Sequence, residues 1–480
     1  MSRRSPNSSF DLRHRSFCVA LNAVSLLLLS LALSACTHTT TYPAASAKLT
    51  GATRLAAPEP ATATTPALPE RLTNFTLPTD AALFTIRAPA PGDYFLELTY
   101  SAATGKRLPA SVNGSFQGSV LLPATTGFQR HRYGRITLIA GDNLIRLGTD
   151  WGYTDITELH LTPASSPRPF RLSASPVNPH ASPEARALFT TLTATFGRRT
   201  FAGQHDSNPL APSRIAHLTR LTGGPRPALL GLDLLYYSGT WNQPQGDGAI
   251  GEALDWSRTH HGLVTLSWHW LAPLHPSPLI WDSFSTNKTS FDLTRLDDEN
   301  SPEYAAVIRD LDRVAAQLAR LRDAHVPVLW RPLHEAQGGW FWWGAHGPEA
   351  TLRLYRIMFD RFTRVHHLEN LLWVWTSTDD DNARDWYPGD DYVDIVATDL
   401  YAPAGTHGDY FTTFDRLRTL YRGRKPLALG ECGVIPTLTA RAPWLWFLTW
   451  DDLITRPEFN APADLFRTFA DPRLITLPSM

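Results

Sequence analysis

From about Ser182 to the C-terminus, short apolar runs bounded by polar residues, glycine or proline recur eight times: TFAGQHD, ALLGLDLLYY, LVTLSWHW, VPVLWRPLHE, LLWVWTST, VDIVATDLY, PLALGECG and WLWFLTWDD. Their length and punctuation predict buried strands rather than helices. Between the third and fourth runs, Tyr304, Val307, Ile308, Leu311, Val314, Leu318 and Leu321 fall on one helical face, and Tyr355, Met358, Phe359, Phe362 and Val365 do so before the fifth. Eight strand-helix units in about 300 residues predict a (β/α)8 TIM barrel over 182–480. The preceding part follows a different period. In DYFLELTY, Tyr94, Leu96, Leu98 and Tyr100 alternate with more polar neighbours, the pattern of a half-buried strand. The run RITLIAGDNLIRLG, interrupted at Gly141-Asp142-Asn143, predicts a hairpin, so residues 42–163 are expected to form a small all-β jelly-roll sandwich. The stretch between them, rich in proline and serine, lacks either period and reads as a flexible linker over 164–181.

Composition changes this picture little. The chain has 480 residues, 43% of them hydrophobic, enough for two or three cores. Its 44 Lys+Arg against 45 Asp+Glu give a formal charge of -1, which argues against nucleic acid and anionic membrane surfaces and favours a neutral partner. The N-terminus adds a targeting segment over 1–36: Arg3, Arg4, Arg13 and Arg15 precede an apolar run from Val19 that ends in LSAC at Cys36. That ending resembles a bacterial lipobox, in which the cysteine is acylated after cleavage; a plain secretory signal is the alternative. Arg3-Arg4 is not continued as a twin-arginine pattern. With Cys18 in the removed segment and Cys36 lipidated, Cys432 is the remaining thiol and no internal disulfide is expected.

The chemistry gathers at the ends of the apolar runs. Gln204, His205 and Asp206; Asp233 and Tyr236; His269; His334 and Glu335; Asp399 and Tyr401; Glu431; and Trp450 all stand at C-terminal ends, which a parallel barrel brings to one face. His334-Glu335 lacks the second histidine of a zinc protease, since Gly338 occupies that place. Cys432 has no base partner nearby in sequence and reads as a buried small residue. Glu335 closes the fourth run and Glu431 the seventh, so a barrel sets them across its mouth. Two carboxyls about 5 to 5.5 Å apart are what retaining glycoside hydrolysis requires. The aromatics Trp340 to Trp343 would give sugar rings an apolar face, although at least one should pack beneath the loop.

Together, RPLHEAQGGWFWWG, LGECG, AGQHD, LSWHW and DLYA resemble the family 26 glycoside hydrolases, mostly endo-acting β-1,4-mannanases of retaining mechanism. The resemblance implies that Glu335 is the acid/base and Glu431 the nucleophile. It further implies that His269 and His334 line the subsite of the distorted sugar, Tyr401 bonds the nucleophile, Trp450 forms an apolar floor and Trp340 a subsite wall. Trp342 is a further expected sugar contact. Gln337 stands where many members have asparagine. Burial among Trp340, Trp342 and Trp343 and the neighbouring carboxylate should raise the Glu335 pKa. Asp399 is expected to support rather than to react, and His269 has a structural histidine as its rival reading.

YPAASAKLTGATRL and GYTDITELHL resemble the first and last strands of family 35 carbohydrate-binding modules. Pro43 and Ala45 stand where relatives carry acidic residues for a structural calcium, so neither a metal nor a cofactor is expected. Trp151 and Tyr153, beside Asp155, are the candidate sugar platform, with Trp151 as core the alternative. The expected protein is thus an exported, lipid-anchored, monomeric enzyme at the periplasmic or outer surface, acting on mannan, galactomannan or glucomannan. The alternatives are a hydrolase of β-1,3-xylan or mixed-linkage β-glucan, or a surface glycan-binding protein without activity.

Overall fold

The computed structural model describes residues 38–150, 152–207, 214–238, 248–274 and 280–478. Cys36 and Trp151 lie outside them. Among the described residues, eleven antiparallel strands build the N-terminal part in two sheets. One contains β1 (Thr40–Pro43), β3 (Arg54–Ala56), β4 (Arg71–Thr73), β6 (Gly92–Ser101), β9 (Gln129–Leu138) and β11 (Asp155–Pro163). The other contains β2 (Lys48–Thr50), β5 (Ala81–Ala88), β7 (Lys106–Val112), β8 (Ser115–Leu122) and β10 (Gly141–Leu147). The alternation read in β6 is real: Tyr94, Leu96, Leu98 and Tyr100 are buried against Phe84, Val120 and Ile145.

The predicted hairpin is not one. β9 pairs with β6, whereas β10 pairs with β5 and β7 in the opposite sheet. The Gly141-Asp142-Asn143 corner therefore crosses between the sheets. The buried Asn143 amide donates to the Ile139 and Gly141 carbonyls and its oxygen accepts from the Ile139 N–H, replacing the bonds a hairpin would make.

All eight apolar runs of the C-terminal part form strands: β12 (Thr200–His205), β14 (Leu229–Asp233), β15 (Leu263–Ser267), β16 (Val328–Arg331), β17 (Leu371–Thr376), β18 (Ile395–Leu400), β19 (Leu427–Cys432) and β20 (Trp446–Trp450). Each pairs in parallel with the next, and β20 pairs with β12 to close the barrel. A short antiparallel ribbon, β13 (Arg226–Pro227) with β21 (Leu474–Leu477), extends it beside β12. The helix Pro302–Asp323 is capped by Ser301, whose hydroxyl accepts from the Tyr304 N–H, and buries Val307, Leu311, Val314, Leu318 and Leu321. The helix Gly347–Asp360 ends earlier than its pattern suggested; the chain widens over Arg361–Val365 and leaves Val365 exposed. Among the described residues no helix is long and apolar enough to cross a membrane.

The segment expected to be flexible carries no helix or strand but is tied along its length. Ser165 O accepts from Arg135, the Arg171 N–H donates to Gly423 O, and the Val177 N–H donates to the Asp394 carboxylate. Phe170 packs edge-on against Phe196 and Phe414. Proline and serine mark an absence of regular structure, which is not the same as freedom to move.

The sandwich is also seated directly on the barrel. Arg107 bonds both oxygens of Asp380 at 2.7 and 2.8 Å, and Arg135 bonds Asp415 at 3.0 Å. Phe116, from β8, belongs to the barrel core and meets Tyr410 edge-on at 5.7 Å. Gly118 has a positive φ of 138°, and a Cβ there would come within 2.3 Å of the Thr413 hydroxyl. A side chain at that position would push the two parts apart.

Candidate active site

The strand ends converge as the pattern implied. Glu431, at the end of β19, is 5% exposed, and its Oε1 accepts from Arg331 Nη2 at 2.5 Å. Its Oε2 accepts from Tyr401 Oη at 2.6 Å and from Trp450 Nε1 at 2.9 Å. Burial alone would raise its pKa, but the Arg331 charge and the Tyr401 hydrogen bond hold it well below the usual carboxylate range. Across the mouth, Glu335 sits just beyond β16 with a left-handed backbone, φ 54°, and Leu333 two residues earlier is also left-handed, φ 52°. Such conformations cost free energy in residues other than glycine and are retained where a side chain must be aimed. Burial, then the Glu431 charge, raises the Glu335 pKa to about 7, although Trp340 Nε1 donates to its Oε2 at 2.8 Å.

One oxygen from each of Glu335, Asp399 and Glu431 lies within 4.8 Å of the others. Such a trio has the donor set of a cation site, but a cation already stands in it: the Arg331 guanidinium also bonds Asp399 Oδ2 at 3.0 Å. Arg331 is 1% exposed. Burial, together with the charges of Glu431 and Glu335, pushes Asp399 well above the usual range in spite of Arg331. Arg331 was not singled out from the sequence, yet a signal was there: a lone formal charge in the apolar run VLWRPL must find carboxylates when buried.

His269 is fixed by Asp233, whose Oδ2 lies 2.8 Å from His269 Nδ1 while its oxygens also accept from the His269 N–H. Burial opposes the charged imidazole, but Asp233 raises its pKa above the ordinary value. His269 Nε2 lies 3.1 Å from His334 Nε2, and burial, then the neighbouring His269, lowers His334 well below its ordinary pKa. His334 is buried, so of the two histidines only His269 faces the open cleft, lining a recess of about 220 Å³ with Trp450, Tyr236 and Trp281. Trp450 stacks on His205 with ring centroids 4.3 Å apart, and burial lowers the His205 pKa to about 4. His205 thus supports the indole as a neutral ring.

The four consecutive aromatics divide sharply. Trp340 is 53% exposed, whereas Trp342 and Trp343 are 1% and 0% exposed. Trp342 is therefore not a sugar contact. Its Nε1 donates to Trp270 O at 2.6 Å and its ring meets Trp270 and Phe291, so the loop is anchored in the core. Trp343 Nε1 donates to His334 O. Gly338 is small for a reason: a Cβ there would come within 2.0 Å of the Trp340 ring, which folds back over it. Gln337 Oε1 accepts from the Thr378 N–H, a brace between two loops. Cys432 is buried, which raises its pKa to about 12.

In the sandwich, Tyr153 is 73% exposed. Asp155 bonds Arg71 Nε at 3.1 Å, and Arg71 also bonds Glu59.

Residues 177–477 match Glycosyl hydrolase family 26, and residues 40–164 match Carbohydrate binding module (family 35). The chain is 36% identical over 459 residues to a mannan endo-1,4-beta-mannosidase of Thermothelomyces thermophilus, an alignment covering 92% of this chain and 90% of that relative. The crystal structure of the Podospora anserina GH26-CBM35 beta-(1,4)-mannanase aligns with a TM-score of 0.62 at 34% identity, over 92% of this chain and 98% of that one. A beta-mannanase from a symbiotic protist of the termite Reticulitermes speratus, solved with a gluco-manno-oligosaccharide, aligns with a TM-score of 0.61 at 32% identity, over 65% of this chain and 100% of that one.

Proposed function

The chain belongs to glycosyl hydrolase family 26, and from that premise we propose that it is an endo-acting β-1,4-mannanase working by double displacement with retention. The observation that carries this reading is the spacing of Glu335 and Glu431, whose nearest oxygens lie within 4.8 Å, combined with opposite shifts of their pKa values. A retaining pair needs both.

Glu431 is the nucleophile. Arg331 and Tyr401 keep it ionised, and it attacks the anomeric carbon to form a glycosyl ester. Glu335, protonated up to about pH 7, gives its proton to the departing glycosidic oxygen. Once the ester forms, the Glu431 charge that helped to raise the Glu335 pKa is gone. Glu335 then takes a proton from the water that cleaves the ester. The scissile sugar lies over Trp450 and beside His269, held by Asp233, and the leaving side runs past Trp340. The indole face under the ring suits positive charge developing at the anomeric centre.

The activity of the relatives, mannan endo-1,4-beta-mannosidases, favours a mannan-type substrate. Reducing-sugar release from mannan, galactomannan and glucomannan, compared with β-1,3-xylan and mixed-linkage β-glucan, tests the substrate. Proton NMR of the first product should show the β anomer; an α product, or turnover confined to the last two polymers, would overturn the reading. The segment 1–36 supports export with Cys36 acylated. Labelled palmitate should enter the wild-type chain in a bacterial host and not Cys36→Ala.

A further inference from the structure

The cavity into which Glu335 and Trp340 open, about 270 Å³, is not enclosed by the barrel alone. Arg107, Phe116, Ser119 and Asp150 of the sandwich form its far wall, facing Glu335, Trp340 and Tyr401 across the opening. Three observations show a wall that is built rather than leaning. Arg107 ties it to the barrel through Asp380 and also donates to Ser119 O at 2.6 Å. The buried Lys106 ammonium donates to the Asp150 and Gly152 carbonyls at 2.8 and 2.9 Å, which fixes the loop bearing Asp150. Ser119 Oγ donates to Asp150 Oδ2 at 2.9 Å, so the carboxylate of an exposed residue stands oriented at the mouth.

Glu335 lines this cavity, whereas Trp450 and His269 line a separate recess that Glu335 does not border. The acid must face the leaving group, so this cavity is the leaving-group half of the cleft. We propose that the sandwich completes that half: Asp150 and Ser119 hydrogen-bond hydroxyls of a neutral hexose unit on the leaving side, beyond the unit that stacks on Trp340. This rests on the activity proposed above. A carboxylate accepting from sugar hydroxyls is a strong, directional contact, and a rigidly held one costs little ordering on binding. The module then selects which bond is cut, in addition to any role in holding polysaccharide nearby.

The test uses the full chain, with Ser119→Ala/Asp150→Ala and the single variant Asp150→Asn, each checked for an unchanged melting temperature. Hydrolysis of mannohexaose is compared with that of an aryl β-mannobioside, whose leaving group is too short to reach the sandwich. The double variant should lower the ratio of kcat/KM for mannohexaose to that for the aryl glycoside at least about fivefold. Product analysis in ¹⁸O-water should show the preferred bond moving so that fewer units lie on the leaving side. Asp150→Asn, which keeps an acceptor, should fall between. An unchanged ratio with an unchanged bond preference, or an equal loss on both substrates, would overturn this inference while leaving the mannanase reading intact. A folded wild type unable to cut mannohexaose would overturn both.

Discussion

The barrel mouth and the sandwich wall both present polar groups to one cleft, but they are held by different physics. At the mouth, Arg331, Glu431, Asp399 and His334 are almost fully enclosed, and each charge or neutral ring is set by its neighbours at hydrogen-bond distance. On the wall, Ser119 and Asp150 border open solvent; Arg107 and Lys106 hold their main-chain carbonyls, and their side chains hydrogen-bond to each other. Low-dielectric surroundings magnify every change at the mouth, whereas solvent screens changes at the wall. The size of a substitution's effect should therefore fall steeply from the centre outward.

Glu431→Ala should show the largest effect. It removes the attacking group and leaves Arg331 with Asp399 as its remaining acidic partner, so turnover on mannan should vanish, and added azide should restore it and yield an α-glycosyl azide. Failure of azide to rescue a folded variant would break the assignment of nucleophile.

Glu335→Gln comes next. On natural substrates its kcat/KM should fall on the order of 10² to 10⁴, with a far smaller loss on activated aryl glycosides that need no acid. In the wild type the basic limb of kcat/KM should lie near the Glu335 pKa of about 7, and the glutamine variant should lose it. The same carboxyl links pH to stability. Its folded pKa lies above the unfolded value, so the folded state holds the proton more tightly and stability falls as pH rises from about 4.5 to 7. Above pH 7 the ionised group should cost roughly 3 kcal/mol. Glu335→Gln should therefore raise the melting temperature at pH 8 and leave it nearly unchanged at pH 4. An equal shift at both would point to packing instead.

Arg107→Ala, at the junction of the two regions, should have the smallest effect. It removes the contacts of one guanidinium nitrogen with both oxygens of Asp380 and should destabilise the seated sandwich by about 2 kcal/mol, read by denaturant unfolding. Aryl glycoside turnover should fall less than twofold. A loss comparable with that of Glu335→Gln would erase the distinction between mouth and wall.

How far the chain could be read in advance follows from the range of each interaction. Alternation in DYFLELTY and the helical face of Tyr304 to Leu321 are local patterns, and both reappear in the fold. The hairpin expectation failed at Asn143 because partner choice between two sheets is not encoded in either strand's own alternation. Glu335, Glu431, Tyr401 and Trp450 were legible as strand-end residues. Arg331 was missed because a single arginine in an apolar run shows its meaning only when its carboxylates, 68 and 100 residues away, come into place.

By itself, the sequence determined the eight strands, the closed parallel barrel and the face on which the reactive side chains gather, because period and punctuation act over a few residues. Tertiary structure alone decided that Trp340 faces the cleft while Trp342 is sealed beneath it, since that depends on the Trp270 carbonyl arriving from 72 residues away. It also decided that a segment composed like a tether is strapped down and that the sandwich walls the cleft. Those outcomes turn on the depth of packing between distant segments, which no local pattern carries.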